Sequence, residues 1–223
     1  MKMQTLILLF LFCTGPTLFA QTITHSNELG GGWIGYPSED QNYIEGTRNL
    51  YDDFRPGVVY YNDNRDTLQV ALRLNIYNDE FEYVKNDTLC ALENLSRLEK
   101  VVMDNLVFIW IEPYKKADVS GYVVRWNDEY PAIITKMEKG YFRGGVDMYT
   151  SKPLRFERKK DKHYIMNSYH EVERIYSVKK LIKYLGTHQQ ELSDFAKKEK
   201  ISESNAEDLA KLLDYYGSLG QDL

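Results

Sequence analysis

The sequence predicts an α+β fold: an antiparallel β meander, in the form of a rolled sheet, a sandwich or an open barrel, followed by a small three-helix C-terminal segment. Between residues 54 and 170, short runs rich in Val, Ile, Tyr and Phe alternate with turn residues, and no helical pattern separates them. After Ser177 the spacing of the apolar residues changes from two to about 3.6. We therefore place a β domain at 54–170 and a helical segment at 177–217.

The N-terminal end of the chain has the pattern of a secretory signal peptide, which we place at 1–20. Lys2 supplies the positive charge, an apolar run extends from Leu6 to Phe12, and Ala20 precedes a plausible cleavage site. The apolar run is shorter than a membrane span requires. We expect an exported protein without a transmembrane segment, in the periplasm, at the outer membrane or secreted. Residues 21–53, rich in Gly and polar side chains, are predicted to be irregular.

Charge and cysteine content exclude two classes of protein. The formal net charge is −5, and removal of Lys2 with the signal peptide takes it to −6. This acidic balance argues against nucleic acid as the partner. After Cys13 the chain has a single cysteine, Cys90, so it has no internal disulfide to stabilise it. Cys90 lies among alternating apolar residues, and we interpret it as a buried, unreactive thiol.

Ten strands are predicted in the β domain, separated by short polar connections. They lie at 57–61, 67–77, 80–84, 88–94, 98–103, 106–113, 121–126, 131–142, 153–159 and 163–167. The pair Asp104-Asn105 has the composition of a two-residue hairpin turn. Because such short connections join antiparallel neighbours, the strands should follow one another across the sheet.

Three short helices are predicted in the C-terminal segment, each with its own start and stop. Ser177 caps the first and Gly186 ends it, while Thr187 with Gln190 and Ser204 with Glu207 form capping boxes for the next two. Gly217 is expected to end the third. The apolar positions are Val178, Leu181, Ile182, Leu185, Leu192, Phe195, Ala196, Leu209, Leu212, Leu213 and Tyr216. Helices this short must pack on each other or on the sheet to be stable.

The stretch LRLNIYNDEFEYV, residues 72–84, contains the only two candidates for catalytic residues, Glu80 and Glu82. A two-residue turn at Asn78-Asp79 would set Ile76 opposite Phe81 on an apolar face and leave both glutamates on a solvated face. Their carboxylates would then lie about 7 Å apart, two strand rises of ~3.3 Å. That spacing falls within the range of paired glycosidase carboxylates. A solvated strand face is the more common meaning of this pattern, so we assign no catalytic residue.

The remaining candidate ligand-binding side chains are the histidines, a basic stretch and the aromatic residues. The histidines His25, His163, His170 and His188 lack zinc-binding spacing, so we expect no metal and no cofactor. Residues 155–162 carry five basic and two acidic side chains, a pattern that fits a solvated hairpin or a site for acidic lipids or polyanionic sugars. Eighteen tyrosines and three tryptophans fit ordinary sheet stabilisation or a glycan-binding face.

The chain resembles a family of uncharacterised exported proteins from Bacteroidota in three stretches, which are LRLNIYNDEFEYV, RFERKKDKHYIM and the helical tail from Ser177 to Tyr216. Members of that family have an LRYN-Y-D-EFE-like β-hairpin and a lysine-rich helical C-terminal tail. The resemblance implies a cell-envelope location and a two-part layout, but no activity and no site residues. This chain has Leu74 where related chains often have an aromatic residue.

Two functions from different classes are compatible with the sequence. The first is an exported, non-enzymatic envelope protein whose β scaffold binds a protein or ligand partner, with the C-terminal helices as the docking element for another envelope protein. The alternative is a glycan-active hydrolase or glycan-binding module that uses an exposed face of carboxylates and aromatic rings.

Overall fold

The computed structural model describes residues 44–61, 67–93, 95–113, 119–143 and 154–220. The predicted signal peptide and most of the predicted irregular segment lie outside these ranges. The elements, in chain order, are β1 (Ile44–Glu45), β2 (Arg55–Tyr61), β3 (Thr67–Asn75), β4 (Glu80–Lys85), β5 (Thr88–Ala91), β6 (Leu98–Met103), β7 (Leu106–Ile111), β8 (Gly121–Arg125), β9 (Ala132–Lys136), β10 (Lys139–Arg143), β11 (Leu154–Arg158), β12 (Lys162–Met166), β13 (Val172–Arg174), α1 (Val178–Leu185), α2 (Gln189–Lys198) and α3 (Ala206–Leu219). The predicted α+β class is confirmed.

The large sheet has ten strands in the order β13-β12-β9-β8-β7-β6-β2-β3-β4-β5, and every neighbouring pair is antiparallel. The order departs from a simple meander because β2 pairs with β6 as well as with β3. The predicted hairpin turn at Asp104-Asn105 is confirmed, with both residues at positive φ (50° and 63°). The sheet is open, with β5 and β13 at its two edges.

A second, small sheet has the order β1-β11-β10, with β1 parallel and β10 antiparallel to β11. Residues 131–142, predicted as one strand, form β9 in the large sheet and β10 in the small one. The chain changes sheet at Met137 and Glu138. The Lys139 amide then donates a hydrogen bond to the carbonyl of Ile76, just after β3, at 3.2 Å. The two sheets therefore meet beside the β3–β4 turn.

The large sheet is rolled, one of the three forms that the sequence allows. In sheet order β4 and β8 are five positions apart, a separation of about 24 Å in a flat sheet at ~4.8 Å per strand. The rings of Phe81 on β4 and Tyr122 on β8 are nevertheless only 4.8 Å apart, and Phe81 also contacts Phe108 on β7 at 5.2 Å. The apolar faces of these strands thus pack against each other. Cys90 is buried in the same core, as predicted.

The three helices cover the other end of the large sheet. Their apolar side packs against Ile133 on β9, Ile165 on β12 and Ile175. The fully or almost fully buried helix residues are Leu181, Leu192, Leu209 and Leu212. Because this contact uses the apolar sides, a partner docking on the helices would contact their polar outer surface. In the part of the chain that the structure describes, the helices are too short or too polar to cross a membrane.

Some of the predicted helix ends are confirmed and others are displaced. Ser177 Oγ accepts a hydrogen bond from the Lys180 amide at 3.2 Å, and Gly186 follows α1 with φ of 81°, both as predicted. The Thr187 capping box is wrong: His188 is the N-cap of α2, with a left-handed backbone and no side-chain cap. The Thr187 hydroxyl instead contacts the Tyr216 hydroxyl at 3.3 Å.

The predicted start and end of α3 are also wrong. Asn205, not Ser204, caps the helix, because its Oδ1 accepts hydrogen bonds from the amides of Glu207 (2.9 Å) and Asp208 (3.5 Å). The Ser204 hydroxyl bonds instead to the Ser202 hydroxyl at 2.8 Å. Gly217 lies inside the helix, which continues to Leu219.

Candidate functional site

The hairpin that contains the two candidate glutamates has a longer turn than predicted. The observed pairs are Asn75 with Glu80, Leu74 with Phe81 and Arg73 with Glu82, so residues 76–79 form a four-residue turn. The side chain of Asn75 stabilises this turn, since its Oδ1 accepts hydrogen bonds from the amides of Tyr77 (3.2 Å) and Asn78 (3.0 Å). The register is therefore shifted by two residues, which keeps each side chain on its predicted face.

The prediction that Glu82 lies on a solvated face is wrong, because its side chain is 0% exposed. Glu82 Oε2 accepts hydrogen bonds from Nη2 and Nε of Arg73 at 2.7 and 3.0 Å. Its Oε1 lies 3.1 Å from Asn75 Nδ2 and 3.4 Å from Arg48 Nη2. Phe54 packs against the Arg73 guanidinium at 4.5 Å. The segment before β2 thus helps to cover this face of the hairpin.

The structure does not bring Glu80 and Glu82 together in a cleft. Glu80 is half-buried, and Glu82 is shielded from solvent in its cluster with the two arginines. A cleft lies where the two sheets meet, and neither side chain is among its lining residues. Glu82 instead stabilises the hairpin through its contacts with the two arginines.

The main cleft has a volume of about 970 Å³. Its walls come from the β3–β4 turn, from Pro113, Val119 and Ser120 before β8, from the end of β9 and the start of β10, and from the β11–β12 connection. The lining residues are Ile76, Tyr77, Asn78, Asp79, Pro113, Val119, Ser120, Lys136, Glu138, Lys139, Gly140, Tyr141, Lys159 and Lys162. Segments distant in sequence thus converge on one polar concave surface.

Asp79 fixes one wall of the cleft. Its Oδ1 accepts a hydrogen bond from the Tyr122 amide at 3.1 Å, and its Oδ2 accepts one from Lys136 Nζ at 2.7 Å. Lys136 also donates to the Tyr122 carbonyl at 3.2 Å. Burial raises the pKa of the Asp79 carboxyl, and the Lys136 ammonium and the Tyr122 amide offset part of that rise. We call Asp79, Lys136 and the Tyr122 backbone the Asp79 clasp, because they tie the β3–β4 turn to β8 and β9.

Gly121 is required for the clasp to close. Its φ is +82°, and a Cβ atom at this position would lie 1.4 Å from Asp79 Oδ2. Only glycine combines this backbone conformation with the space that the carboxylate occupies. The sequence identifies Asp79 as a turn residue, which is confirmed, but it carries no local sign that Asp79 reaches β8 and β9.

Four lysines and two carboxylates give the cleft a positive surplus of 4 − 2 = 2 charges. Asp79 pairs with Lys136, and Glu138 pairs with Lys162 at 3.0 Å. Burial opposes ionisation of Glu138, but Lys162 and the nearby Lys159 and Lys136 outweigh burial and lower its pKa. The other two cationic side chains, Lys139 and Lys159, account for the surplus.

Lys139 and Lys159 are held in different ways. Lys139 Nζ donates to the carbonyls of Thr47 at 2.8 Å and Asn49 at 2.6 Å, and burial lowers its pKa. Lys159 is exposed and makes no ion pair with any residue inside the described ranges. The excess of basic side chains at 155–162 is the sequence signal that points towards these cationic side chains.

Aromatic rings form another wall of the cleft. The Tyr77 and Tyr141 rings have centroids 4.6 Å apart, and Phe156 lies 4.7 Å from Tyr141 and 5.3 Å from Tyr77. Tyr77 is 39% exposed and Tyr141 is 47% exposed, so both present ring surface to solvent. The abundance of tyrosine in the sequence suggested such a surface but not its position.

His163 and His170 lie in different surroundings, and His25 lies outside the described residues. His163 is buried, and its Nδ1 lies 2.8 Å from Thr135 Oγ1, which accepts a hydrogen bond from Trp126 Nε1 at 2.7 Å. His170 is exposed, with its Nε2 3.2 Å from the Tyr130 hydroxyl. Among the described residues there is no group of three or more His, Cys, Asp or Glu side chains placed to hold a metal ion.

Acidification is expected to destabilise the fold through His163. Burial lowers the His163 pKa below its ordinary value near 6.5. As pH falls from about 6.5 to the lower pKa of the folded state, the unfolded chain binds this proton more readily than the folded chain. The free energy of unfolding therefore falls over that pH range, by at most about 1.4 kcal/mol per pH unit. Urea unfolding at pH 7.5 and at pH 5.5 measures this loss.

The pH effect has a matched pair of variants. His163→Gln should lose less stability than the parent protein between the two pH values, whereas replacement of the exposed His170 by Gln should leave the loss unchanged. An equal loss in the parent protein and in His163→Gln would show that other groups cause the pH dependence.

Comparison with known proteins gave no match: neither a protein-family model, nor a curated protein, nor a solved structure matches this chain.

Proposed function

We propose that this protein is an exported, non-enzymatic envelope protein whose β scaffold binds a saccharide in the cleft between its two sheets. The cleft itself carries the proposal, because its volume of about 970 Å³ is within the range of small-ligand sites, roughly 300–1,000 Å³. Export and envelope location are supported by the signal-peptide pattern and by the resemblance to exported Bacteroidota proteins.

Two features of the walls favour binding over a merely structural groove. The Asp79 clasp fixes the β3–β4 turn, and Lys139 ties the start of β10 to the carbonyls of Thr47 and Asn49. A ligand would therefore meet walls that are already ordered, which reduces the entropy lost on binding.

The aromatic wall favours a saccharide as the ligand. Tyr77 and Tyr141 offer exposed ring surface against which the apolar C–H face of a sugar can pack. The surrounding lysine, asparagine and serine side chains supply donors and acceptors for hydroxyl groups. A cleft with both kinds of group suits a polar ring compound better than a purely apolar ligand.

A binding role is better supported than hydrolysis. The two carboxylates of the described cleft wall, Asp79 and Glu138, are each held in an ion pair with a lysine. Glu82, which the hydrolase alternative requires beside Glu80, has no exposed surface. The hydrolase would need a carboxylate pair that is open to substrate, and neither of these arrangements supplies one.

Replacing Tyr141 by Ala is expected to weaken saccharide binding about tenfold, or about 1.4 kcal/mol, because the ring surface is lost. A glycan array with the purified protein identifies the ligand, and calorimetric titration measures its affinity for each variant.

Phe142→Ala is the matched control, because Phe142 is the next residue on β10, is 56% exposed and does not line the cleft. Equal affinities of the Tyr141 and Phe142 variants would place binding elsewhere. Release of new reducing ends from the bound oligosaccharide would overturn the non-enzymatic part of the proposal. Thermal unfolding of both variants confirms that they are folded.

A further inference from the structure

We infer that the saccharide carries an anionic substituent, a carboxylate or a sulfate, and that Lys159 binds this group at the rim of the cleft beside the fixed charge of Lys139. The inference rests on the proposed function and adds the chemical class of the ligand and the residues that select it.

The charge distribution of the cleft is the first argument. The opposite charges cancel within each of two ion pairs, Asp79–Lys136 at 2.7 Å and Glu138–Lys162 at 3.0 Å. Lys139 and Lys159 lack a carboxylate partner among the lining residues that the structure describes. The cleft is thus positive in a chain whose formal net charge is −5. A positive electrostatic potential in the cleft of a negatively charged protein attracts anions to the cleft.

The position of Lys159 is the second argument. Its amide donates to the Glu138 carbonyl at 2.9 Å, which fixes its backbone beside the start of β10. Its side chain then crosses Gly140: a Cβ atom on Gly140 would lie 2.9 Å from Lys159 Cε and 3.7 Å from Nζ. The residue after Gly140 is Tyr141. An exposed lysine side chain and an aromatic ring therefore flank the same part of the cleft.

Lys139 supplies the third argument. Its ammonium is hydrogen-bonded to two neutral carbonyls, and burial lowers its pKa although the charge of Asp52, which does not line the cleft, opposes that shift. An anion in the cleft would stabilise this charge in a site that is partly shielded from water, where electrostatic attraction is stronger than in bulk solvent. The two lysines have complementary roles: Lys139 is held by hydrogen bonds to two carbonyls, and Lys159 is exposed.

Calorimetric titration of the purified protein with four probes tests the inference. The probes are a galacturonate trisaccharide, a sulfated trisaccharide, a neutral galactose trisaccharide and inorganic sulfate. We expect at least one acidic trisaccharide to bind at least tenfold more tightly than the neutral one, and inorganic sulfate to bind more weakly than the acidic sugars. Raising the salt concentration should weaken binding of the anionic probes and leave binding of the neutral trisaccharide unchanged, because salt screens charge–charge attraction.

Lys159→Gln should reduce the preference for the acidic over the neutral trisaccharide about fivefold or more. Lys160→Gln is the matched control, since Lys160 is the adjacent exposed lysine and does not line the cleft. An unchanged preference in the Lys159 variant would overturn its assignment.

The outcomes separate the inference from the proposed function. Equal affinity for the neutral and acidic trisaccharides would overturn the anionic class and leave saccharide binding intact. Sulfate that binds as tightly as the sulfated trisaccharide would show an anion site without a sugar site, and would overturn the inference. Failure of every saccharide, both on the array and in titration, would overturn the proposed function together with the inference.

Discussion

Glu82→Gln is expected to lower the free energy of unfolding by about 3 kcal/mol, because it leaves two guanidinium groups without their buried counter-charge. Glu82 is 0% exposed and lies 2.7 Å from Arg73 Nη2 and 3.4 Å from Arg48 Nη2. We expect the lower end of the range for a broken buried ion pair, since Arg48 and Arg73 keep 16% and 19% exposure and can gain water. Urea unfolding at pH 7 measures the change.

The control for this result is Glu80→Gln, the neighbouring acidic residue on the same strand face. Glu80 is half-buried, so its substitution should cost clearly less than that of Glu82. Had Glu82 been on the solvated face that the sequence suggests, its substitution would change stability by no more than about 0.5 kcal/mol. Equal, small effects of both substitutions would therefore contradict the buried cluster.

Gly121→Ala is expected to cost about 3–4 kcal/mol, because it combines backbone strain with loss of the Asp79 clasp. Alanine at φ of +82° is strained, and its Cβ would lie 1.4 Å from Asp79 Oδ2. The carboxylate would have to move away from Lys136 and from the Tyr122 amide, which leaves the buried ammonium unpaired. The free energy of unfolding in urea is again the measurement.

Gly186→Ala separates the two contributions to this loss. Gly186 has almost the same φ, +81°, but a Cβ there would have no atom within 4 Å. Its substitution should therefore cost only the strain of a side chain at positive φ, about 1–3 kcal/mol. In an Asp79→Ala background the cost of Gly121→Ala should fall towards this value, because the clash is gone. Equal costs for the two glycines in the parent protein would show that the clasp does not depend on Gly121.

The hairpin at 72–84 illustrates how much of a site can be predicted from sequence. Alternation of apolar and polar residues assigned Phe81 and Glu82 to opposite faces, and a register error of two residues did not change this because the side-chain period is also two. The solvent exposure of Glu82 was mispredicted. Arg48 and Phe54 cover the polar face of the hairpin, and they belong to the segment before β2, whose sequence has no recognisable pattern.

The helix caps show the same difference: a cap is predictable when it depends only on neighbouring residues. Ser177 and Gly186 were correctly assigned because their roles depend on a few neighbouring residues. Just before α3, three nearby residues, Ser202, Ser204 and Asn205, have side chains that can act as caps. The hydrogen bond between the two serine hydroxyls leaves Asn205 as the residue that caps the helix.

The sequence by itself determined the α+β class, the chain order of the principal strands, the three helices, and the apolar faces of the 72–84 hairpin and of the helices. These features depend on residue spacing within about ten positions, which a single chain displays directly. Only the tertiary structure decided that the sheet is rolled, that Glu82 is buried and that a polar cleft exists. The cleft, for example, depends on hydrogen bonds that join Asp79 to Tyr122 and Lys136, which follow it in the chain by 43 and 57 positions. Such distant contacts leave no periodic pattern in the sequence.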